Sequence, residues 1–274
     1  EVVVFEPVYD SYVPAIETVG GTAVFAQLKY PDYAPDWAQV AQLISPKTRM
    51  IIINSPHNPT GSLLSADDLD QLAALLRGTD IVVLSDEVYE HILFDGEQHA
   101  SLCGHPALAE RSIVVSSFGK TYHITGWKIG YVVGPAALMA EFRKVHQFNV
   151  FTVHTPSQLG LADYMQDASR HLGLAAFYQE KRDFFRELMA ATPFRLLPCR
   201  GTYFQLASYA GLSDLPDRAF AEWMTREVGV AVIPVSVFNA DGRDDKVVRF
   251  CFAKKEETLL MGAERLRKAF VKNC

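Results

Sequence analysis

Five short runs of aliphatic and β-branched residues, at 2–5, 50–53, 81–84, 113–115 and 129–133, recur along the chain with helix-patterned stretches between them. Runs this short and this continuously apolar suit strands buried on both faces, the condition of a parallel sheet covered by helices. Between the second and third, Ser65-Ala66-Asp67-Asp68 reads as a helix start, and Leu69, Leu72, Leu75 and Leu76 form a stripe at helical spacing that ends near Gly78. Repetition of strand, helix and strand predicts parallel strands joined by crossover helices, a doubly wound α/β arrangement. No internal repeat or low-complexity segment interrupts it.

From about residue 168 to 191 the pattern becomes one long helical stretch, with Leu172, Phe177, Phe184, Phe185 and Leu188 set among charged residues. Beyond Pro193 the strands are shorter and more alternating, at 195–197, 203–206, 230–233 and 247–252, and an amphipathic helix around 256–270 closes the chain. A chain of 274 residues, 49% hydrophobic, has material for two domains. The expected division is a large α/β domain over 1–167, then a connecting helix and a smaller α+β domain over 168–274. The chain opens at Glu1 straight into an apolar strand, without an initiator methionine, cap or turn, so the expectation is that its true N-terminus is missing.

The net charge of -6 and the scatter of lysine and arginine argue against a nucleic-acid partner. No apolar stretch reaches the roughly 20 residues of a membrane helix, and no charged leader precedes an apolar core. Cys103, Cys199, Cys251 and Cys274 lie far apart without CxxC spacing, so neither a disulfide framework nor a zinc site is expected. Reduced thiols in a cytoplasmic protein are the expectation. The eight histidines contain no HExxH pair and are too dispersed to suggest a metal cluster, so no metal is expected.

Ligands of α/β folds collect beyond the carboxyl ends of the strands. Three successive apolar runs end in residues suited to one. After 50–53 comes Asn54-Ser55-Pro56-His57-Asn58-Pro59-Thr60-Gly61, whose two X-Pro units hold the backbone extended; this is either a plain turn or a rigid mount for a functional side chain. After 81–84 comes Ser85-Asp86-Glu87-Val88-Tyr89, where Asp86 either caps a following helix or needs a cationic partner, since an unpaired carboxylate there is costly. After 113–115 comes Ser116-Ser117-Phe118-Gly119-Lys120, with Lys128 eight residues further. Lys120 is either a surface lysine or an amine whose proton is lost beside other cations or by partial desolvation, able to form a Schiff base with an aldehyde. Asn58, Asp86 with Tyr89, and Ser117 with Lys120 are thus expected at one edge of one sheet.

These motifs, with Ser116-Ser117-Phe118-Gly119-Lys120-Thr121-Tyr122-His123-Ile124-Thr125-Gly126-Trp127-Lys128-Ile129-Gly130-Tyr131, resemble those of the class I/II pyridoxal-phosphate aminotransferases of fold type I. Within that family they are most similar to the bacterial methionine aminotransferases, near the kynurenine and glutamine types. The resemblance extends over essentially the whole chain, through Gly201-Thr202-Tyr203-Phe204, 233–238 and Arg249-Phe250-Cys251-Phe252-Ala253.

The resemblance implies a mostly parallel sheet with helices on both faces and pyridoxal 5′-phosphate held by Lys120 as an internal aldimine. Released by the incoming amino acid, Lys120 then moves a proton between Cα and the cofactor. Asp86 is implied to pair with the pyridine nitrogen and keep it protonated, so that the ring accepts electrons. Asn58 and Tyr89 are implied to hydrogen-bond the 3′-oxygen and so lower the aldimine pKa. Tyr9 matches the aromatic that stacks on the ring, its alternative being a core tyrosine. Ser117 and Lys128 are implied to hold the phosphate, with a point charge at Lys128 where many relatives carry the arginine fork. Arg249, with Asn58 as a second substrate-binding residue, is implied to clamp the substrate α-carboxylate, its alternative being a structural salt bridge. Relatives also carry, upstream of the strand that opens this chain, a glycine turn that cups the phosphate and segments that reach across a homodimer.

The expected activity is transfer of the amino group of an L-amino acid, of methionine or aromatic type, to a 2-oxo acid. A β-lyase acting on cysteine conjugates or cystathionine fits the same residues, and an aminotransferase-like effector-sensing domain of a regulator is the non-enzymatic alternative.

Overall fold

Two sheets, each built from one stretch of the chain, organise the computed structural model, which describes residues 1–271. The first contains β1 (Val2–Glu6), β2 (Ala23–Gln27), β3 (Met50–Asn54), β4 (Val82–Asp86), β5 (Ser112–Ser117) and β6 (Gly130–Val133), in the spatial order β2-β1-β3-β4-β5-β6. β1 to β5 run parallel, whereas β6 is antiparallel to β5. All five anticipated strands form here. The direction of β6 has a local cause: the link from β5 holds only the short helix Phe118–Thr121 and a turn at Thr125–Trp127. That is too little for a crossover, so the chain returns from the end at which it left. β2, unanticipated, is an edge strand whose partly buried Ala23-Val24-Phe25-Ala26-Gln27 lacks the continuous apolar signature of its neighbours.

Alternation along the strands divides the core. Val3, Ile51, Val83 and Val114 pack on one face with Leu69, Leu72 and Leu76, while Val4 and Ile52 face the other with Val8 and Ile16. The helix Ala66–Leu75 that covers the first face starts as anticipated: Ser65 Oγ accepts from Asp68 N at 3.1 Å, and the Asp68 carboxylate accepts from Ser65 N at 2.8 Å.

Chain order and spatial order diverge at β1. The chain leaves β1 for β2 on one side, then crosses back to β3 on the other, so the connections beyond β1 and β3 run apart and open a crevice between their carboxyl ends.

The long helical stretch anticipated over 168–191 forms as two helices, Ser169–Leu172 and Leu174–Met189, interrupted at Gly173. Four strands follow, β7 (Arg195–Leu196), β8 (Phe204–Ser208), β9 (Ile233–Pro234) and β10 (Val247–Cys251), antiparallel in the order β7-β8-β10-β9. The helix Glu256–Val271 closes a core around Phe185, Phe194, Phe220, Phe250 and Leu266. The two sheets share apolar packing: Leu206, Val235 and Val247 belong to the same cluster as Val3 and Ile51. Backbone bonds reinforce it, with Val8 N donating to Phe238 O at 2.7 Å and Gly201 N to Gly61 O at 3.0 Å.

Cys103, Cys199 and Cys251 are free thiols, and Cys274 lies outside the described residues. Among the described residues no helix is long and apolar enough to cross a membrane.

Candidate active site

A cavity of about 390 Å³ opens beyond the carboxyl ends of β3, β4 and β5, walled by Tyr9, Asn58, Asp86, Tyr89, Ser117, Lys120 and Arg249. Seven of the eight residues singled out from the sequence therefore meet. The eighth, Lys128, is exposed at the end of the turn Thr125–Trp127, in left-handed backbone with φ 56°, and is not part of the cavity wall.

Asp86 is the last residue of β4, in register with Asn54 of β3. Its Oδ2 accepts from the Tyr12 hydroxyl at 2.5 Å and its Oδ1 from Val88 N at 3.1 Å. One oxygen thus caps the turn after the strand, yet among the described residues no cation forms an ion pair with the carboxylate. Burial pushes its pKa up, and the Tyr12 and Val88 bonds hold it back. A half-buried acid in this condition suits a ligand that brings a positive charge.

Lys120 stands on the helix Phe118–Thr121, which Ser117 opens by accepting from Gly119 N at 3.0 Å. Its Nζ lies 6.0 Å from the Tyr89 ring centroid and 5.8 Å from that of Tyr203. Tyr89 is buried, edge-on to Tyr203, and its phenol pKa is pushed far up, chiefly by burial. Tyr9 sits at the mouth, 37% exposed, its ring edge-on to Tyr12 at 5.4 Å.

Asn58 is fixed from two sides. Its backbone N–H donates to Asn54 Oδ1 at 2.8 Å, and Asn54 Nδ2 donates to the carbonyl of Asp86 at 2.9 Å. Its side-chain oxygen accepts from Arg249 Nη1 at 2.6 Å, which leaves the amide nitrogen free of that bond. Arg249, in β10, is held between two rings, with Cζ 4.0 Å from the Phe204 centroid and 5.3 Å from that of Phe238. Burial lowers its pKa, and among the described residues no carboxylate pairs with it. Its guanidinium can therefore take an anionic group from the cavity.

Sequence reasoning missed Tyr12, Asn54, Tyr203, Phe204 and Phe238 as parts of this site. Tyr12 carried little signal, since Tyr9 precedes the helix Tyr12–Thr18 and only the structure sets the two rings edge-on at 5.4 Å. For Phe204 and Phe238 only the packing of the second sheet supplies the proximity.

The model for aminotransferase class I and II matches residues 1–266. The chain belongs to this family. It is 50% identical over 269 residues to the methionine aminotransferase of Escherichia coli (strain K12), a match spanning 98% of this chain and 70% of that protein. It is 34% identical to kynurenine–oxoglutarate transaminase 1 of Rattus norvegicus over 98% of this chain and 71% of the relative. Among solved structures, one described as identifying a methionine aminotransferase function in Escherichia coli superposes with a TM-score of 0.95 at 49% identity, covering 97% of this chain and 71% of the other. The N-succinyldiaminopimelate aminotransferase from Mycobacterium tuberculosis superposes with a TM-score of 0.91 at 37% identity, covering 97% and 71% respectively. The fold is that of the fold type I aminotransferases, and members of the class use pyridoxal 5′-phosphate. The donor set of this aminotransferase fits that group: a primary amine, a half-buried acid and a guanidinium line one cavity, and among the described residues neither the acid nor the guanidinium has a partner of opposite charge.

Proposed function

We propose that this aminotransferase takes its amino group from an L-amino acid with a thioether or aromatic side chain and passes it to a 2-oxo acid, with Lys120, Asp86 and Arg249 at the centre of the site. The convergence of these three residues on one cavity carries the reading. The similarity to a methionine aminotransferase supports the choice of donor. Pyridoxal 5′-phosphate, when bound, supplies an aldehyde for primary amines and a ring that withdraws electrons from the substrate Cα. Lys120, on the helix after β5, would hold it and would carry a proton to and from Cα. Asp86 would pair with the ring nitrogen and keep its proton there. Tyr89 and the amide nitrogen of Asn58 would donate to the 3′-oxygen, Tyr9 would cover the ring, and Ser117, with Lys128 from outside the cavity wall, would serve the phosphate. Arg249, oriented by Asn58 and the two phenylalanine rings, grips the α-carboxylate that every amino-acid substrate shares.

The same reading keeps a large cofactor-binding part over 1–167 and a smaller part over 168–274, a cytoplasmic location and a homodimer. Large apolar side chains exposed in one stretch, among them Phe148 and Phe151, support the dimer.

The test is made on the full-length protein. Lys120→Ala is expected to lose both the visible absorbance of bound cofactor and amino transfer from methionine; full transfer in that variant sinks the assignment. A panel of amino donors against several oxo acids measures the preference. Pyruvate and ammonia released from a β-substituted cysteine without an oxo acid identify a β-lyase instead.

A further inference from the structure

We propose that Tyr12 is a positioning residue that fixes Asp86 and keeps the proton they share with a ligand on the ligand's ring nitrogen. The inference rests on the reading of Asp86 as the partner of that nitrogen.

Tyr12 is not among the residues that line the cavity, and its hydroxyl donates to Asp86 Oδ2 at 2.5 Å. The residue is well held. Its N–H donates to Tyr9 O at 3.2 Å, and its ring packs against the cluster of Val4, Ile16 and Ile52. The groups that act on Asp86 are few. Burial and Glu87 disfavour its anion, whereas Tyr12, the Val88 amide and Lys120 favour it. Of the favouring side chains only Tyr12 bonds the carboxylate directly. Burial and the facing carboxylate drive the Tyr12 phenol far above its ordinary pKa, so it acts as a donor throughout the working pH range.

A carboxylate that accepts two hydrogen bonds is a weaker base than one that accepts a single bond. With the hydroxyl gone, Asp86 competes more strongly for the shared proton and the ring nitrogen loses positive charge. A less electron-withdrawing ring leaves the nitrogen bound at Lys120 more basic and slows proton removal at Cα. Tyr12→Phe isolates this effect, because it keeps the ring edge-on to Tyr9 at 5.4 Å and removes only the hydroxyl.

The experiment uses full-length holoenzyme carrying pyridoxal phosphate labelled with 15N in the ring. Wild type is expected to give the chemical shift of a protonated nitrogen. In Tyr12→Phe the shift moves toward the neutral value, the pH midpoint of the visible band rises by up to about one unit, and kcat falls about tenfold with KM nearly unchanged, the worth of one hydrogen bond to a charged group. Incorporation of 3-fluorotyrosine at position 12, a stronger donor of nearly the same shape, moves the nitrogen shift and the midpoint in the opposite direction, and it decides the matter if Tyr12→Phe fails to fold. A neutral nitrogen in wild type overturns the reading of Asp86. A protonated nitrogen that neither substitution perturbs overturns the role of Tyr12 alone.

Discussion

His57 shows how a single buried group sets a pH limit. It is 5% exposed, its Nδ1 is 2.7 Å from Thr60 Oγ1, and the ring also bonds the backbone of Pro7, so it ties the loop after β3 to the loop after β1. Burial pulls its pKa down from 6.5 to about 4. The fold therefore favours the neutral ring, and as pH falls the unfolded chain takes up the proton first. Its contribution is complete above pH 6.5 and is lost as pH falls toward 4, by up to about 3 kcal/mol. Denaturant midpoints of wild type and His57→Gln, compared at neutral pH and again at pH 4.5, are expected to converge at the lower value. Parallel pH dependence in the two proteins defeats the prediction. Asp86 and Arg249, both half-buried, are the other costly groups. Each lacks a charged partner among the described residues, the mark of a site built for a ligand that supplies both charges.

At the scale of elements, the site depends on how closely the segment before β8 approaches the loop after β3. Gly201 makes that approach possible: a Cβ there would meet Pro56 Cβ at 2.8 Å and the carbonyl of Ile92 at 2.9 Å. The neighbouring backbone is committed, since Arg200 N and Gly201 N both donate to Gly61 O and Thr202 N donates to Ile92 O. Gly201→Ala must push the two segments apart and so separate Asn58 from Arg249. A loss of about 1–3 kcal/mol in stability is expected from overpacking, with a rise in KM for the amino donor. Unchanged melting temperature and KM would show that the segments have slack.

At the scale of the whole molecule, the unexplained surface lies between residues 142 and 172. Phe148 is 87% exposed and Phe151 78%, and Val145, Leu159 and Leu172 are exposed nearby. Isolated apolar residues on a surface are ordinary, but so many large ones exposed within one stretch of the chain point to an interaction site. For the proposed homodimer, sedimentation at micromolar concentration is expected to give twice the chain mass, and Phe148→Asp with Phe151→Asp to give the monomer. A monomeric wild type rules the dimer out.

Much of this was legible in the chain. The continuous apolar runs announced β1, β3, β4 and β5, because strands covered by other elements leave little room for polar residues, and the run at β6 was readable too although that edge strand is partly exposed. Ser65 with Asp68 announced a helix start, because a capping box is local chemistry. Asn58, Asp86, Tyr89, Ser117 and Lys120 were readable as one group because parallel strands deliver their carboxyl ends to a common edge. β2 and the reversed direction of β6 were not, because edge position and connection length leave little mark on composition. The Tyr12 bond to Asp86 and the two rings around Arg249 were decided only in three dimensions. They join segments far apart in sequence, up to 191 residues for Asn58 and Arg249, and contacts of that span come from the packing of one sheet on another, which no local pattern encodes.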